Sequence, residues 1–140
     1  MFLIDTDVIS ESRKGAQANV GVRNFFSAAR KNESALYICV VTIGELRRGV
    51  ELIKHRKDAR QAKRLEHWLE ALLGEYEDHI LEFGHEEAQV WGRLRVPHPE
   101  NAIDKQIAAI ALTRGLKLVT RNTQHFAKLG VEVVNPFAAG

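Results

Sequence analysis

A chain of 140 residues, 45% hydrophobic and 27% charged, reads as one globular domain over residues 1–140. It is long enough to bury about 70% of its unfolded surface. Twenty Lys and Arg against 18 Asp and Glu leave a net charge of +2, which is no global signature of a nucleic-acid binder, and a single cysteine excludes an internal disulfide. No apolar run approaches the roughly 18 residues of a membrane span, and no basic segment precedes the short apolar start as in a secretory signal, so a cytoplasmic location is expected.

The chain opens MFLIDTDVIS. Phe2-Leu3-Ile4 reads as a short strand that runs into Asp5 and Asp7. An Asp between a strand and a helix is a good N-cap, and Asp7 falls in the first turn of that helix, where a negative charge is favoured. ALYICVV, residues 35–41, is the second strand, with Cys39 as a buried structural thiol. From Thr42 to Lys54, Ile43, Leu46, Val50 and Ile53 form one apolar stripe at helical spacing. Glu45 points about 110° away from the centre of that stripe, on its flank, with Gly49 one turn further on. The stretch KHRKDARQAKR, Lys54 to Arg64, carries six Lys/Arg and one Asp, which reads first as a solvated helix face and second as a phosphate-contacting surface.

A second helix runs from Asp58 to Tyr76, with Ala62, Leu65, Leu69, Leu72, Leu73 and Tyr76 on its apolar face. HILEF, residues 79–83, is the third strand. Val96-Pro97-His98-Pro99 breaks the chain between helices. The next helix, Ala102 to Arg114, has Ile103, Ile107, Ile110 and Ala111 as its stripe. Asn101 and Asp104 there have the outline of a capping box, with Asp104 half-buried beside small residues. Gly115 and Gly130 read as helix stops, ahead of strands at KLV (117–119) and VEVV (131–134). Thr120-Arg121-Asn122 directly follows KLV.

Strands separated by helices imply parallel pairing with right-handed crossovers. The fold class expected is therefore α/β, a three-layer α/β/α sandwich on a short, mainly parallel, five-stranded sheet. Sites in such sheets form at the carboxyl ends of the strands, and Asp5, Glu45 and Thr120–Asn122 all fall there. Taken singly, each acid reads as structural. Taken together, Asp5, Glu45 and Asp104 would repel one another by roughly 4 kcal/mol per pair at 4 Å and an effective dielectric near 20. Protonation of one acid relieves this, and so does a divalent cation. All-oxygen ligands suit Mg²⁺ or Mn²⁺.

Other chemistries find little support. The six histidines include no HExxH, His98-Pro-Glu100 lacks the cysteines of a zinc deaminase, and no GxGxxG or P-loop occurs. Ser10 lacks a nucleophile elbow. The opening strand-DTDVIS also resembles a haloacid dehalogenase-type phosphatase, but that family needs a late acidic motif, and no Asp follows Asp104. A non-catalytic binding module is a further alternative.

FLIDTDVIS, VVTIGELRRGV around Glu45, NAIDKQIAAIAL around Asp104 and LVTRNTQHF before the last strand resemble, in order and over nearly the whole chain, the PIN-domain ribonucleases. The closer likeness is to the VapC-type toxins of toxin–antitoxin pairs, including the FitB-like branch. That resemblance implies a short parallel sheet wrapped by helices. It also implies an acidic triad of Asp5, Glu45 and Asp104 that binds Mg²⁺ or Mn²⁺, and metal-dependent hydrolysis of RNA phosphodiester bonds. Its implied partners are an RNA substrate, a second copy in a homodimer, and a small antitoxin with a DNA-binding part, in a heterotetramer or larger assembly. The basic antitoxin tail can occupy the acidic cleft. Two departures stand out. Asn122 occupies a place where many members carry a fourth acid, so a single tight metal at most is expected in the free protein. Asp7 stands where members often have Asn, either as an added ligand or as a hydrogen-bond partner of Thr120 or Asn122. Arg47, Arg48, Lys54, Arg56 and Lys57 become candidates for contact with the RNA backbone.

Overall fold

The computed structural model describes residues 1–138. Strand β1 (Phe2–Ile4) leads into α1 (Thr6–Ser12) and, after a 3-10 turn, α2 (Val20–Lys31). Then come β2 (Leu36–Cys39), α3 (Val40–His55), α4 (Ala59–Glu75), β3 (Ile80–Leu81), α5 (His85–Leu94) and α6 (Ala102–Arg114). Strand β4 (Lys117–Val119), the short α7 (Thr123–Phe126) and β5 (Val133–Val134) complete the chain. The sheet has five strands in the order β3-β2-β1-β4-β5, and every pairing is parallel. This is the expected α/β sandwich.

Why the strands are short and apolar follows from the pleat. Successive side chains point to opposite faces, and both faces are covered. Ile4, Ile38 and Val119 point to one side, where they pack with Val8, Val22, Leu46, Val50, Leu69 and Leu72 from α1 to α4. Leu3, Cys39 and Leu118 point to the other, against Ile107, Ala108, Ile110 and Ala111 of α6 and Phe126 of α7. A strand buried on both sides has no position for a polar residue until it leaves the sheet. In β1 and β4 that exit falls at the same level. Ile4 stands opposite Val119, so Asp5 and Thr120 emerge side by side.

Several elements differ from the sequence expectation. The second strand stops at Cys39, and Val40 and Val41 begin α3 instead. Cys39 adopts extended N-cap geometry with no side-chain cap bond, so no polar residue marks the junction in the sequence. The third strand spans two residues rather than 79–83, and the fifth also two rather than 131–134. Helix α2 was not anticipated; it is capped by the Asn19 side chain, which accepts from the Gly21 and Val22 amides.

Helix α6 is buried nearly all round. Lys105, Ala108, Ala109 and Ala111 are buried together with Ile107 and Ile110, whereas Ile103 is 49% exposed and does not belong to the core stripe. The wrapping arises because α6 lies between the sheet and α5, whose Trp91 indole N–H donates to the Ala102 carbonyl at 2.9 Å. Gly115 closes α6 in the left-handed conformation, φ 64°, as a glycine after a helix does.

The capping box expected at Asn101 and Asp104 is absent. Asn101 itself is left-handed, φ 57°, and makes no side-chain cap bond. Its side chain is thereby turned away from the free amides, and Asp104 is released for another partner.

Candidate active site

The acids gather where β1 and β4 leave the sheet. Asp5 is 4% exposed. Its amide donates to the Val119 carbonyl at 2.9 Å, which continues the β1–β4 ladder past the last strand residue. Its carboxylate accepts from the Thr6 amide at 2.7 Å and from the Thr120 hydroxyl at 2.7 Å. Thr120 is fully buried and is itself oriented by the Asn122 amide, which donates to its oxygen at 3.1 Å. Asp5 therefore caps α1, as expected of it alone, and also faces the neighbouring acids.

Asp7 comes from the first turn of α1. Its Oδ2 accepts from the Arg121 amide at 3.0 Å and lies 3.5 Å from the Thr120 hydroxyl, whose single proton goes to the nearer Asp5. Its other oxygen, Oδ1, is buried with no hydrogen-bond partner. A buried acceptor without a donor costs about 1–3 kcal/mol.

Burial, then the charge of Asp7, raises the Asp5 carboxyl from 3.8 to about 7, with a smaller push from Asp104; the Thr120 and Thr6 bonds oppose this. Burial likewise raises Asp7, with Asp104 adding to it. The three carboxylates thus feel one another across one small volume.

Glu45 and Asp104 are held through intermediaries. Glu45, in the second turn of α3, accepts from the Thr6 hydroxyl at 2.7 Å, and the buried Thr42 hydroxyl lies 3.0 Å from that of Thr6. Asp104, in the first turn of α6, has its Oδ2 2.5 Å from Nδ1 of His125. Among the described residues, no three His, Cys, Asp or Glu side chains are drawn into a group that could hold a metal ion as they stand. Asp5, Asp7, Glu45 and Asp104 therefore share one end of the sheet without sharing a coordination sphere. Their donor chemistry still fits a hard divalent cation. All donors are carboxylate oxygens, two carboxyls are raised by burial and mutual repulsion, and one buried oxygen has no partner.

Of the supporting residues, Thr120 is central. Asn122 enters through its backbone amide on Thr120, not as a partner of Asp7. Sequence reasoning missed Thr6 and His125. Thr6 lies inside the DTD motif, and His125 one helical turn past Asn122 in TRNTQHF, but neither position announces which acid it meets.

The basic candidates divide. Arg47 makes a two-pronged contact with Glu66, 2.8 and 2.7 Å, and Lys54 lies 3.2 Å from both Glu51 and Glu66. Hydrogen bonds from Arg47 and then Lys54 hold Glu66 down at about 2. Two of the RNA-contact candidates, Arg47 and Lys54, are thus paired within the chain: α4 packs beside α3 and brings Glu66 up to both. Arg48, Arg56 and Lys57 are exposed. A groove of about 330 Å³, lined by Ile9, Val22, Phe26, Trp68, Leu72 and Tyr76 among others, is shaped by α1, α2 and α4; none of the acids lines it, so it is not the site of the chemistry.

The chain is similar over nearly its whole length to known proteins. The toxin FitB of Neisseria gonorrhoeae is 32% identical over 98% of this chain and 99% of its own. The VapC ribonuclease Y4jK of Sinorhizobium fredii is 28% identical, covering 98% of each. In the crystal structure of FitAcB from Neisseria gonorrhoeae, one chain superimposes with a TM-score of 0.83 at 31% identity, over 97% of this chain and 98% of that one. A chain of FitAB bound to the IR36 DNA fragment gives 0.79 at 29% identity, over 100% and 98%. The PIN domain family profile matches residues 2–132, and the chain belongs to the PIN-domain family.

Proposed function

We infer that this protein is a divalent-metal-dependent endoribonuclease and the toxin of a toxin–antitoxin pair. The observation that carries the reading is the pair Asp5 and Asp7, two positions apart: Asp5 is buried and Asp7 half-buried, both are raised in pKa, and one Asp7 oxygen is buried with no partner. Asp104 and Glu45 stand at the same end of the sheet. A relative of nearly equal length is a VapC ribonuclease, which supports RNA as the substrate class.

Asp5, Asp104 and Glu45 would hold the cation, with Asp7 beside them. Bound there, Mg²⁺ or Mn²⁺ supplies Lewis-acid charge to a phosphodiester and lowers the pKa of water. The chain's own groups do the rest. The Thr120 hydroxyl and Thr6 amide fix the Asp5 carboxylate, the Arg121 amide fixes Asp7, and the Thr6 hydroxyl holds Glu45 in reach. Asp5 carries a proton through much of the range below pH 7 in the metal-free protein, so cation binding displaces it. Arg48, Arg56 and Lys57 offer exposed charge to the RNA backbone, which positions the strand without reading its sequence.

The partners follow the same reading: an antitoxin with a DNA-binding part, as in the FitAB complex with DNA, and a second copy of this chain in a homodimer. No helix among the described residues is long and apolar enough to cross a membrane, in keeping with a cytoplasmic site of action. The test is cleavage of total RNA by purified protein, with Mn²⁺, with Mg²⁺ and with EDTA. Wild type cuts only with a metal, and Asp5→Asn and Asp104→Asn do not cut although both remain folded. Equal cleavage by both variants overturns the assignment.

A further inference from the structure

His125 is not needed by anything in the account of the acids so far, yet its Nδ1 lies 2.5 Å from Oδ2 of Asp104. Three observations give that contact a purpose. First, His125 stands on a fixed stem. Helix α7 has four residues, and the next one along, Phe126, is fully buried in the cluster with Ile107, Ala108 and Leu118. Second, among the described residues the hydrogen bonds of the Asp104 carboxylate are confined to Oδ2, and its side chain is only 22% exposed. Third, the chain beyond Asp104 contains no Asp and a single Glu, Glu132, whose carboxylate is 3.2 Å from Lys117. His125 is thus the one His, Asp or Glu side chain that the C-terminal strands and α7 turn toward the acids.

A carboxylate only accepts, so the ring nitrogen facing it carries the proton. Donation from Nδ1 to Oδ2 fixes the rotation of the carboxylate and leaves Oδ1 turned to whatever binds among the acids. Carboxylates that ligate metals are themselves held by hydrogen bonds, and loss of such a partner typically costs 10- to 100-fold in metal affinity.

We propose that His125 is a positioning residue for Asp104: its Nδ1–H donates to Oδ2, sets the carboxylate in one orientation and leaves Oδ1 for a divalent cation. The inference rests on the metal reading above and deepens it. It assigns the last segment of the chain, which lacks an acid for the site, the task of orienting the acid that α6 provides. An imidazole adds no further negative charge to the acidic cluster.

The test is calorimetric titration of the metal-stripped full chain with MnCl₂. Four proteins are compared: wild type, His125→Ala, His125→Asn and His125→Gln. An asparagine amide N–H falls about where Nδ1 stood, while a glutamine amide falls about where Nε2 stood. The expected result is an affinity for Mn²⁺ lowered about 10- to 100-fold in His125→Ala and His125→Gln, and largely restored in His125→Asn. Melting curves in EDTA that agree across the series show that α7 remains packed. Wild-type affinity in His125→Ala overturns the proposal. So does His125→Asn binding as weakly as His125→Ala, because the imidazole would then act as a ligand in its own right. Tighter binding in His125→Ala also overturns it, since His125 would then compete with the cation. Absence of Mn²⁺ binding by wild type is a different result: it removes the metal reading itself and this inference with it.

Discussion

Replacing Asp5 by asparagine keeps the shape of the side chain and removes the charge that the fold holds at greatest cost. The cost can be worked from its ionisation. A carboxyl raised from 3.8 to about 7 binds its proton more tightly in the folded than in the unfolded chain. The folded state therefore carries more protons between those two values, and stability falls as pH rises through that window. Below about pH 4 both states are protonated and nothing is lost. Above about pH 7 the loss is complete, and at about 1.4 kcal/mol per pH unit it amounts to roughly 4 kcal/mol. Asparagine escapes this but loses something else. Asp5 accepts from both the Thr6 amide and the Thr120 hydroxyl; the amide oxygen of asparagine keeps one bond, and its NH₂ faces the other donor. That mismatch costs about 1–2 kcal/mol. Asp5→Asn is thus expected to stabilise the metal-free protein by about 2–3 kcal/mol at pH 8, and to destabilise it by about 1 kcal/mol at pH 4. Urea unfolding in EDTA at a series of pH values measures the difference directly, as a crossing of the two stability curves near pH 5. Curves that run parallel across the whole range would show that Asp5 carries no trapped charge, and the physical argument for a cation at this place would fail.

Three further outcomes follow from other parts of the molecule. Arg48→Ala should lower the slope of log affinity for single-stranded RNA against log salt by about 0.7, the share of one phosphate contact. Arg47→Ala should leave that slope nearly unchanged, because Glu66 already occupies Arg47; filter binding at several salt concentrations separates the two. Thr6→Val removes the hydroxyl that holds Glu45. It should cost about 1 kcal/mol in urea unfolding and reduce RNA cleavage without abolishing it. Gly21→Ala would drive a methyl group into the Pro136 carbonyl oxygen and to 2.5 Å from the Ala138 amide nitrogen. That strand end is fastened to Asn19 by two hydrogen bonds, so the variant should lose about 1–3 kcal/mol, read as a lower melting temperature.

How much of this could be read from the sequence depends on the range of the interaction concerned. Apolar triplets such as Phe2-Leu3-Ile4 and Lys117-Leu118-Val119, separated by helical stripes, point to parallel strands because the pattern is local and repeated. The meeting of Asp5 with Thr120 also follows, since both come immediately after strands that pair in register. The start of α3 could not be read. Val40 and Val41 are β-branched and continue the apolar run of β2, and the helix begins on Cys39 with no polar cap to mark it. Asn101 misled for the opposite reason: its residue type suits an N-cap, but its left-handed backbone goes with no side-chain cap bond. The bond between His125 and Asp104 joins a four-residue helix to the first turn of another, 21 positions apart, and depends on where Phe126 is buried. No periodicity carries that information.

The same network explains how one end of the sheet holds four acids. Each is tied to a donor from its own surroundings: Asp5 to Thr120, Asp7 to the Arg121 amide, Glu45 to Thr6, Asp104 to His125. Hydroxyls and an amide stabilise the first three carboxylates without adding a competing full charge, so the arrangement tolerates four acids at one end of the sheet. It does so incompletely, because Asp7 keeps one buried oxygen without a donor and Asp5 rises to about 7. A lysine or arginine among them would neutralise the cluster and also exclude a cation by repulsion. Of the cations near Glu45 in sequence, Arg47 is turned onto Glu66 and Lys54 onto Glu51 and Glu66, while Arg48 is exposed. The residual negative charge is therefore left for something that arrives from solution.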